Sequence, residues 1–315
     1  MFCIGTPLVS SAERTRHNTF AGALLDRAAE FRNDDTWLAA QRSSPRARFL
    51  GLDSESHAPV REGRLLWLGP AAVQADTAAS LLGLRDGEAW FLLRDAIEHA
   101  AFPDAEWLDL RTAGGLLAAD DAGLLAYAFG LRNWQNATRF CGHCGATLAL
   151  VGAGHRAVCG GCGRLHFPRT DPAIIVLVEH DGACLLGRQT PWRARQYSTL
   201  AGFVEPGESL ADAVRREVRE ETSVEVIDCD YHSSQPWPFP ASLMLGFTAR
   251  AAGRAIALTD GELEDARWFS APEIVTGLRD GSLRLSAPLS ISYRLIEHWL
   301  RTRHGIELAE LRRAE

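Results

Sequence analysis

Leu210, Val214 and Val218 stand four residues apart in a run that is otherwise mostly charged, with Ala211 and Ala213 beside them. That spacing predicts a helix with a single apolar stripe to lay against a sheet. Upstream, the unbroken apolar run 173–178 begins after a break at Pro168 to Pro172 and ends near an Asp181-Gly182 turn, beyond which 183–186 is apolar again. Two strands joined by a tight turn are predicted there. Earlier still, 48–52, 64–68 and 90–93 read as short strands. Residues 121–134 read as a helix with apolar positions at Leu124, Leu125, Tyr127, Ala128 and Leu131. No internal repeat is visible. The pattern describes an α+β region followed by an α/β region, and 315 residues are enough for two or three modules, each with its own core.

Composition changes this picture little: 46% hydrophobic and 23% charged residues are ordinary for a folded globular chain. No apolar run approaches the length of a membrane span, and no basic segment followed by an apolar core opens the sequence, so a cytoplasmic protein without membrane contact is expected. The net charge of −7 repels polyanions, so a nucleic acid would have to be drawn by a local patch. All 33 basic side chains are arginine, but they are scattered, which fits a GC-rich coding bias better than a phosphate surface.

The cysteines add chemistry. Cys141-Gly-His-Cys144 and Cys159-Gly-Gly-Cys162 form two Cys-x-x-Cys knuckles separated by 14 residues, whereas Cys3, Cys184 and Cys229 are isolated. Two such knuckles can close a tetrahedral thiolate site, and four thiolates leave no open position, so a structural zinc is expected. Disulfides or a redox pair are the competing readings; a reducing compartment disfavours the first, and the second needs only one knuckle. His143 and His155 are expected as exposed loop residues.

Three carboxylates cluster on the helix that carries the apolar stripe. Glu217 and Glu221 are four apart, and Glu220 is three from Glu217, so they share one side of the helix. Such a cluster is either solvated and paired with Arg215, Arg216 and Arg219 or gathered around a hard cation such as magnesium or manganese. Farther on, Ser234-Gln-Pro-Trp-Pro-Phe-Pro-Ala-Ser242 alternates prolines with aromatics, predicting a stiff extended loop that holds Trp237 and Phe239 for stacking.

The whole segment from Gly202 to Val224 resembles the Nudix box: glycine, five residues, glutamate (Glu208), seven residues, then Arg216-Glu217-apolar-x-Glu220-Glu221. It departs at Ser223, where the family usually has glycine at the helix end. The proline-aromatic array and the knuckles upstream resemble the NADH pyrophosphatase subfamily. The resemblance implies a Nudix α/β/α sandwich with a mixed sheet (169–315), preceded by a zinc ribbon (137–168) and a smaller α+β domain (1–136), associated as a homodimer. It also implies hydrolysis of the pyrophosphate of NAD(H) to nicotinamide mononucleotide and AMP, and removal of the NAD cap from the 5′ end of RNA.

Carried over by motif, Glu217, Glu220 and Glu221 are the catalytic set and, with Glu262 and the Ala201 carbonyl, the ligands of Mg2+ or Mn2+. Cys141, Cys144, Cys159 and Cys162 are the ligands of Zn2+. Arg216 orients carboxylates such as Glu208. Arg111, Phe167, Phe203, Gln235, Pro236, Trp237, Pro238, Phe239, Pro240, Ala241, Ser242 and Ser292 are implied substrate contacts. The family tends to place an acidic residue five before the third knuckle cysteine; here it is Gly154. A Nudix hydrolase for another substrate such as ADP-ribose would share the box but not the aromatic array. A non-catalytic zinc-ribbon module that binds nucleic acid would not need the intact acid set.

Overall fold

The computed structural model describes residues 9–259 and 261–311. Cys3 lies outside them. Contacts divide the chain into two units: one holds the residues up to Thr19, Asp171–Gln235 and the chain from Ser242 onward, and the other holds Phe20–Thr170 and Pro236–Ala241.

Among the described residues the first element is α1 (Ser11–Arg16), part of the first of these units. The other unit contains α2 (Asp35–Ser43), β1 (Arg48–Leu50), β2 (Ala58–Arg61), β3 (Arg64–Leu65), β4 (Ala79–Arg85), β5 (Glu88–Leu93), β6 (Glu106–Leu108), α3 (Leu110–Leu116) and α4 (Ala119–Ala137). One small sheet runs β1-β5-β4 and another β3-β2-β6. The core on the first of these sheets is aromatic and aliphatic: Phe49 and Phe91 stack at 5.1 Å between ring centroids, with Leu81, Ala89 and Leu93 around them. The expected strand 64–68 is cut short after Leu65, because Leu68 turns to exchange backbone hydrogen bonds with Phe49 at 3.0 and 2.9 Å. In α4 the predicted stripe is wider than one face: Leu124, Leu125, Ala126, Ala128, Leu131 and Trp134 are all buried. Three short strands follow, β7 (Leu148–Val151), β8 (Arg156–Cys159) and β9 (Leu165–His166), which pair in that order as an antiparallel ribbon.

The first unit continues with β10 (Asp171–His180), β11 (Ala183–Arg188), β12 (Gln196–Tyr197), β13 (Leu200–Phe203), α5 (Leu210–Thr222), β14 (Val226–Trp237), β15 (Ser242–Ala251), β16 (Asp265–Ser270), α6 (Ala271–Asp280), β17 (Arg284–Leu285), α7 (Ile291–His304) and α8 (Leu308–Leu311). Its main sheet has the order β14-β15-β10-β11-β16, with β13 also paired to β10. β10 is parallel to β15 and antiparallel to β11 and β13, so the sheet is mixed. Alternate residues of β10 face opposite ways, as a strand requires. Ile174, Val176 and Val178 meet Ala213, Val214 and Val218 of α5 on one side. Ile175 and Leu177 pack on the other with Ile274 and Leu278 of α6 and Leu295, Ile296, Trp299 and Leu300 of α7. Burial of each Val or Leu stabilises by roughly 1.5–3 kcal/mol. Two helical layers therefore enclose the sheet, the α/β/α sandwich that the resemblance implied.

Candidate active site and metal centre

α5 starts where a capping box forms: the Asp212 N–H donates to Ser209 Oγ at 3.3 Å, and the Ser209 N–H donates to Asp212 Oδ2 at 3.3 Å. It ends at Ser223, whose φ of 60° is left-handed and whose N–H donates to the Arg219 carbonyl at 2.7 Å. A non-glycine residue there costs about 1–2 kcal/mol. The Ser223 hydroxyl also donates to the Ala257 carbonyl at 3.0 Å, a contact that sequence does not reveal. Relief of backbone strain by Ser223→Gly is thus opposed by loss of this bond, about 0.5–1.5 kcal/mol, and by the greater freedom of an unfolded glycine. The substitution is expected to change stability by less than about 0.5 kcal/mol in urea unfolding; a gain above about 1 kcal/mol would show that strain alone governs the site.

With the apolar stripe committed to the sheet, the carboxylates emerge at the helix flank. Glu217 is buried, Glu221 is only 2% exposed, and Glu220 is exposed. Arg216 ties the group together. Its Nε and Nη2 donate to the two oxygens of Glu208 at 2.6 and 2.9 Å, its Nη1 to Glu217 at 2.8 Å and to Glu220 at 3.1 Å, and its Nη2 also to the Phe203 carbonyl at 2.8 Å. This fork holds the Glu208 carboxyl down at about 2. Glu217 moves the opposite way: burial pushes its carboxyl up, Arg216 opposes that, and the nearby charges of Glu220 and Glu262 add to the rise.

The first glycine of the box has a steric purpose. A Cβ at Gly202 would overlap the Glu217 carboxylate, which lies directly on the backbone of β13 beside Ala201. Glu262 accepts a hydrogen bond from Gln189 Nε2 at 3.2 Å. These donors are all oxygen, with no sulfur or imidazole, and a raised carboxyl among like charges is the electrostatic setting that a hard divalent cation relieves. Among the described residues, however, only the four cysteines bring ligand atoms within 4.8 Å of one another. Glu208, Glu217 and Glu220 are occupied by Arg216, which supplies one positive charge to three acids.

The cysteines converge from two tight turns. Cys141 Sγ lies 3.7 Å from Cys162 Sγ, and Cys144 Sγ lies 3.3 Å from Cys159 Sγ. Ligands about 2.3 Å from a tetrahedral zinc would be separated by similar distances. The N–H groups of Gly161 and Cys162 both donate to Cys159 Sγ at 3.3 Å, and those of His143 and Cys144 lower the Cys141 thiol to about 5, so the backbone favours thiolates. The set fits zinc. Cys184 is fully buried with its thiol pushed up by burial, and Cys229 is half-buried.

His155 is not the exposed loop histidine expected from its glycine-rich neighbours. It is 8% exposed, its Nε2 lies 2.7 Å from the Leu81 carbonyl, and burial lowers its imidazole to about 4. His143 is exposed. At Gly154 φ is +88° and a Cβ would overlap the Ser80 hydroxyl, so no acidic side chain fits there without rearrangement.

In the aromatic array, Trp237 and Phe239 pack edge to face at 5.0 Å, and Phe20 lies 6.1 Å from each. The Arg111 guanidinium sits 4.0 Å from the Phe239 ring centroid and 5.0 Å from that of Trp237. Asn133 Nδ2 donates to the carbonyls of Pro238 and Pro240 at 3.2 and 3.1 Å, fixing the turn. The array is less extended than expected, because β14 runs through Trp237 and the chain then reverses to Ser242. Phe20 and Asn133, both missed from sequence, lie far away along the chain.

Pro236, Ala241 and Ser242 are partly exposed. Phe203 and Phe167 are 59% and 53% exposed, open for stacking, and Phe167 lines a cavity of about 640 Å³ with His143, Arg164, His166 and Arg169. Two implied substrate contacts are buried. Gln235 is fully buried and spends its amide on the backbone: Nε2 donates to the Thr19 and Leu289 carbonyls at 2.9 and 2.7 Å, and Oε1 accepts from the Ile291 N–H at 2.8 Å. Ser292 is likewise fully buried, its hydroxyl engaged by Ser198 Oγ at 2.8 Å and by the Thr199 N–H at 3.1 Å. Gln235 thereby joins β14 to the start of α7, and Ser292 joins α7 to the segment just before β13.

A mixed sheet between helical layers, with this glutamate helix on one side, defines a Nudix hydrolase, a class that uses divalent metal. Residues 168–287 match the NUDIX domain, and residues 2–134 match the NADH pyrophosphatase-like rudimentary NUDIX domain. A Mycobacterium bovis protein is 40% identical over 291 residues, covering 87% of this chain and 92% of its own. A Chromobacterium violaceum protein is 39% identical over 246 residues, covering 76% and 89%. A Stutzerimonas stutzeri protein is 44% identical over 225 residues, covering 71% and 78%. Each of the three is named NAD-capped RNA hydrolase NudC. This chain belongs to that family of Nudix hydrolases.

Proposed function

We propose that the protein hydrolyses the pyrophosphate bond of NAD(H), giving nicotinamide mononucleotide and AMP, and removes the same cap from RNA, leaving a 5′-monophosphate end. The observation that carries this reading is the conjunction of a box that keeps all its acids, with Glu217 and Glu221 buried at the flank of α5 and Glu217 anchored through Arg216, and similarity over most of the chain to proteins named NAD-capped RNA hydrolase. Water attacks one phosphorus, the bridging P–O bond breaks, and the departing phosphate takes the electron pair. Glu217, Glu220, Glu221, Glu262 and the Ala201 carbonyl would hold Mg2+ or Mn2+, which supplies charge neutralisation of the diphosphate and acidification of the attacking water. Glu221 accepts the proton from that water. Arg216 keeps the carboxylates in place and leaves the substrate to other groups. Arg111, Phe167, Phe203, Trp237 and Phe239 supply faces and charge for the bases and phosphates.

Rates on NADH, NAD-capped RNA and ADP-ribose with one preparation test the substrate. The first two should be turned over with release of nicotinamide mononucleotide, and a preference for ADP-ribose would overturn the proposal. Trp237→Ala should raise KM for NADH by a factor equivalent to about 1–3 kcal/mol while kcat changes little; an unchanged KM would remove the aromatic array from recognition.

Zinc in this proposal is structural. Atomic emission should find one zinc per chain after dialysis, with turnover still requiring added magnesium or manganese, and full activity in a magnesium-depleted sample would contradict that division. No helix among the described residues is long and apolar enough to cross a membrane. A cytoplasmic homodimer completes the proposal, and light scattering tests the dimer.

A further inference from the structure

A second cluster of charge lies on the α7 side of the main sheet, whereas α5 and its glutamates lie on the other. There a cavity of about 260 Å³ is lined by Arg14, His17, His232, Arg294, His298 and Arg301, with Val9 and the single acid Glu297. Glu297 is already paired with Arg294 at 2.9 Å. Three guanidinium groups thus face one carboxylate in a protein whose net charge is −7, a local reversal of sign.

Behind the lining of the cavity are buried polar atoms without partners. His232 is 4% exposed and its Nε2 has no hydrogen-bond partner among the described residues; Arg294 Nε and His298 Nδ1 are in the same condition. Buried polar groups are normally paired. The missing partner of His232 is an acceptor. Asn18 Nδ2 donates to Ser233 Oγ at 3.1 Å, which leaves the Ser233 hydroxyl hydrogen free for His232 Nδ1, 2.8 Å away. His232 then carries its own proton on Nε2, buried behind the cavity wall. Arg14 is held in place by donating from Nε to the His232 carbonyl at 3.0 Å. The rings of His232 and His298 meet edge to face at 4.7 Å, and burial together with the positive charge of Arg14 and Arg301 holds both imidazoles below their ordinary value.

Three guanidinium groups around a cavity whose one acid is already paired, with Arg14 also donating to the Val9 carbonyl, describe a receptor for a compact oxyanion. The volume is below the roughly 300–1,000 Å³ of pockets for larger ligands, so a phosphate group fits and a nucleotide does not. Residues 1–8 contain no acidic side chain that could serve instead. We propose that this cavity binds a phosphate-class oxyanion through Arg14 and Arg301, beside the buried His232 and separately from the carboxylates of α5.

Inorganic phosphate is the probe, titrated into the full-length protein while the imidazole 1H–15N resonances of His232 and His298 are followed. Saturable shifts are expected, weakened about tenfold or more in Arg301→Gln and in Arg14→Gln, the scale of one lost charge-assisted hydrogen bond. Circular dichroism of the two variants should match the parent. Unmoved resonances, or shifts of equal affinity in both variants, would overturn the site. The source of the phosphate is read separately: a rise in KM for NAD-capped RNA but not for NADH in Arg301→Gln assigns it to the RNA chain, and phosphate binding without that rise assigns it to a free anion. Because the resonance measurement needs no turnover, its failure is distinct from failure of the proposed activity.

Discussion

Glu221→Gln is expected to lower kcat by at least about a hundredfold, with little change in KM for NADH, the scale of a lost acid-base or electrostatic contribution. The substitution preserves size, which matters because Glu221 is 2% exposed and a smaller side chain would leave a void beneath α5. What it removes is the negative charge that, in the proposed mechanism, would hold metal and accept the proton of the attacking water. Glu220 gives the internal comparison: exposed and bound to Arg216 at 3.1 Å, it is the more replaceable acid, so Glu220→Gln should do less damage. Steady-state kinetics at saturating magnesium, with circular dichroism to confirm the fold, decide the point. A near-normal kcat in Glu221→Gln would remove that residue from the catalytic centre.

Gly202→Ala is the second large effect expected, although one methyl group is all it adds. The new Cβ would occupy the space of the Glu217 carboxylate, so either β13 or the Glu217 side chain must move. β13 is pinned by its pairing to β10 from Ala173 to Val176. The side chain therefore yields, losing its 2.8 Å contact with Arg216 and its place beside Ala201. A displacement on the order of 1 Å at a reacting centre costs about a hundredfold in rate. Both kcat and apparent manganese affinity should fall, while the zinc content stays at the parent value. Activity within about twofold of the parent at saturating manganese would show that Glu217 is not held against the strand for catalysis.

The parts legible in the sequence are those set by local periodicity or by ligand spacing. Leu210, Val214 and Val218 announced α5, the apolar run 173–178 announced the central strand, and the two knuckles announced the thiolate cluster. Long-range packing was not legible. Gln235 and Ser292 are polar residues in a segment that resembles a ligand pocket, but polarity alone does not say whether the partner is a substrate or a backbone carbonyl. Gln235 found Thr19, Leu289 and Ile291. His155 sits among glycines that suggest an open loop, and only the carbonyl of Leu81, from 74 residues earlier, reveals it as part of a core. The Gly202 contact with Glu217 was hidden for the same reason: it joins a strand to a helix flank, and no sequence period reports it.

The short stretch around α1 has a consequence for the order in which this protein is completed. Arg14, Thr15, Asn18 and Thr19 bond to residues 232–235, at separations of 215 to 219 positions along the chain. During synthesis they emerge more than two hundred residues before the strand they fasten. Contacts of such high order form late, because loop closure must be achieved before they contribute. The catalytic unit therefore cannot finish as a simple C-terminal fragment. Cut at residue 168, where the NUDIX match begins, it would leave His232 to Gln235 without the carbonyl and side-chain partners that fasten this edge of the sheet. Residues made early serve as a late latch.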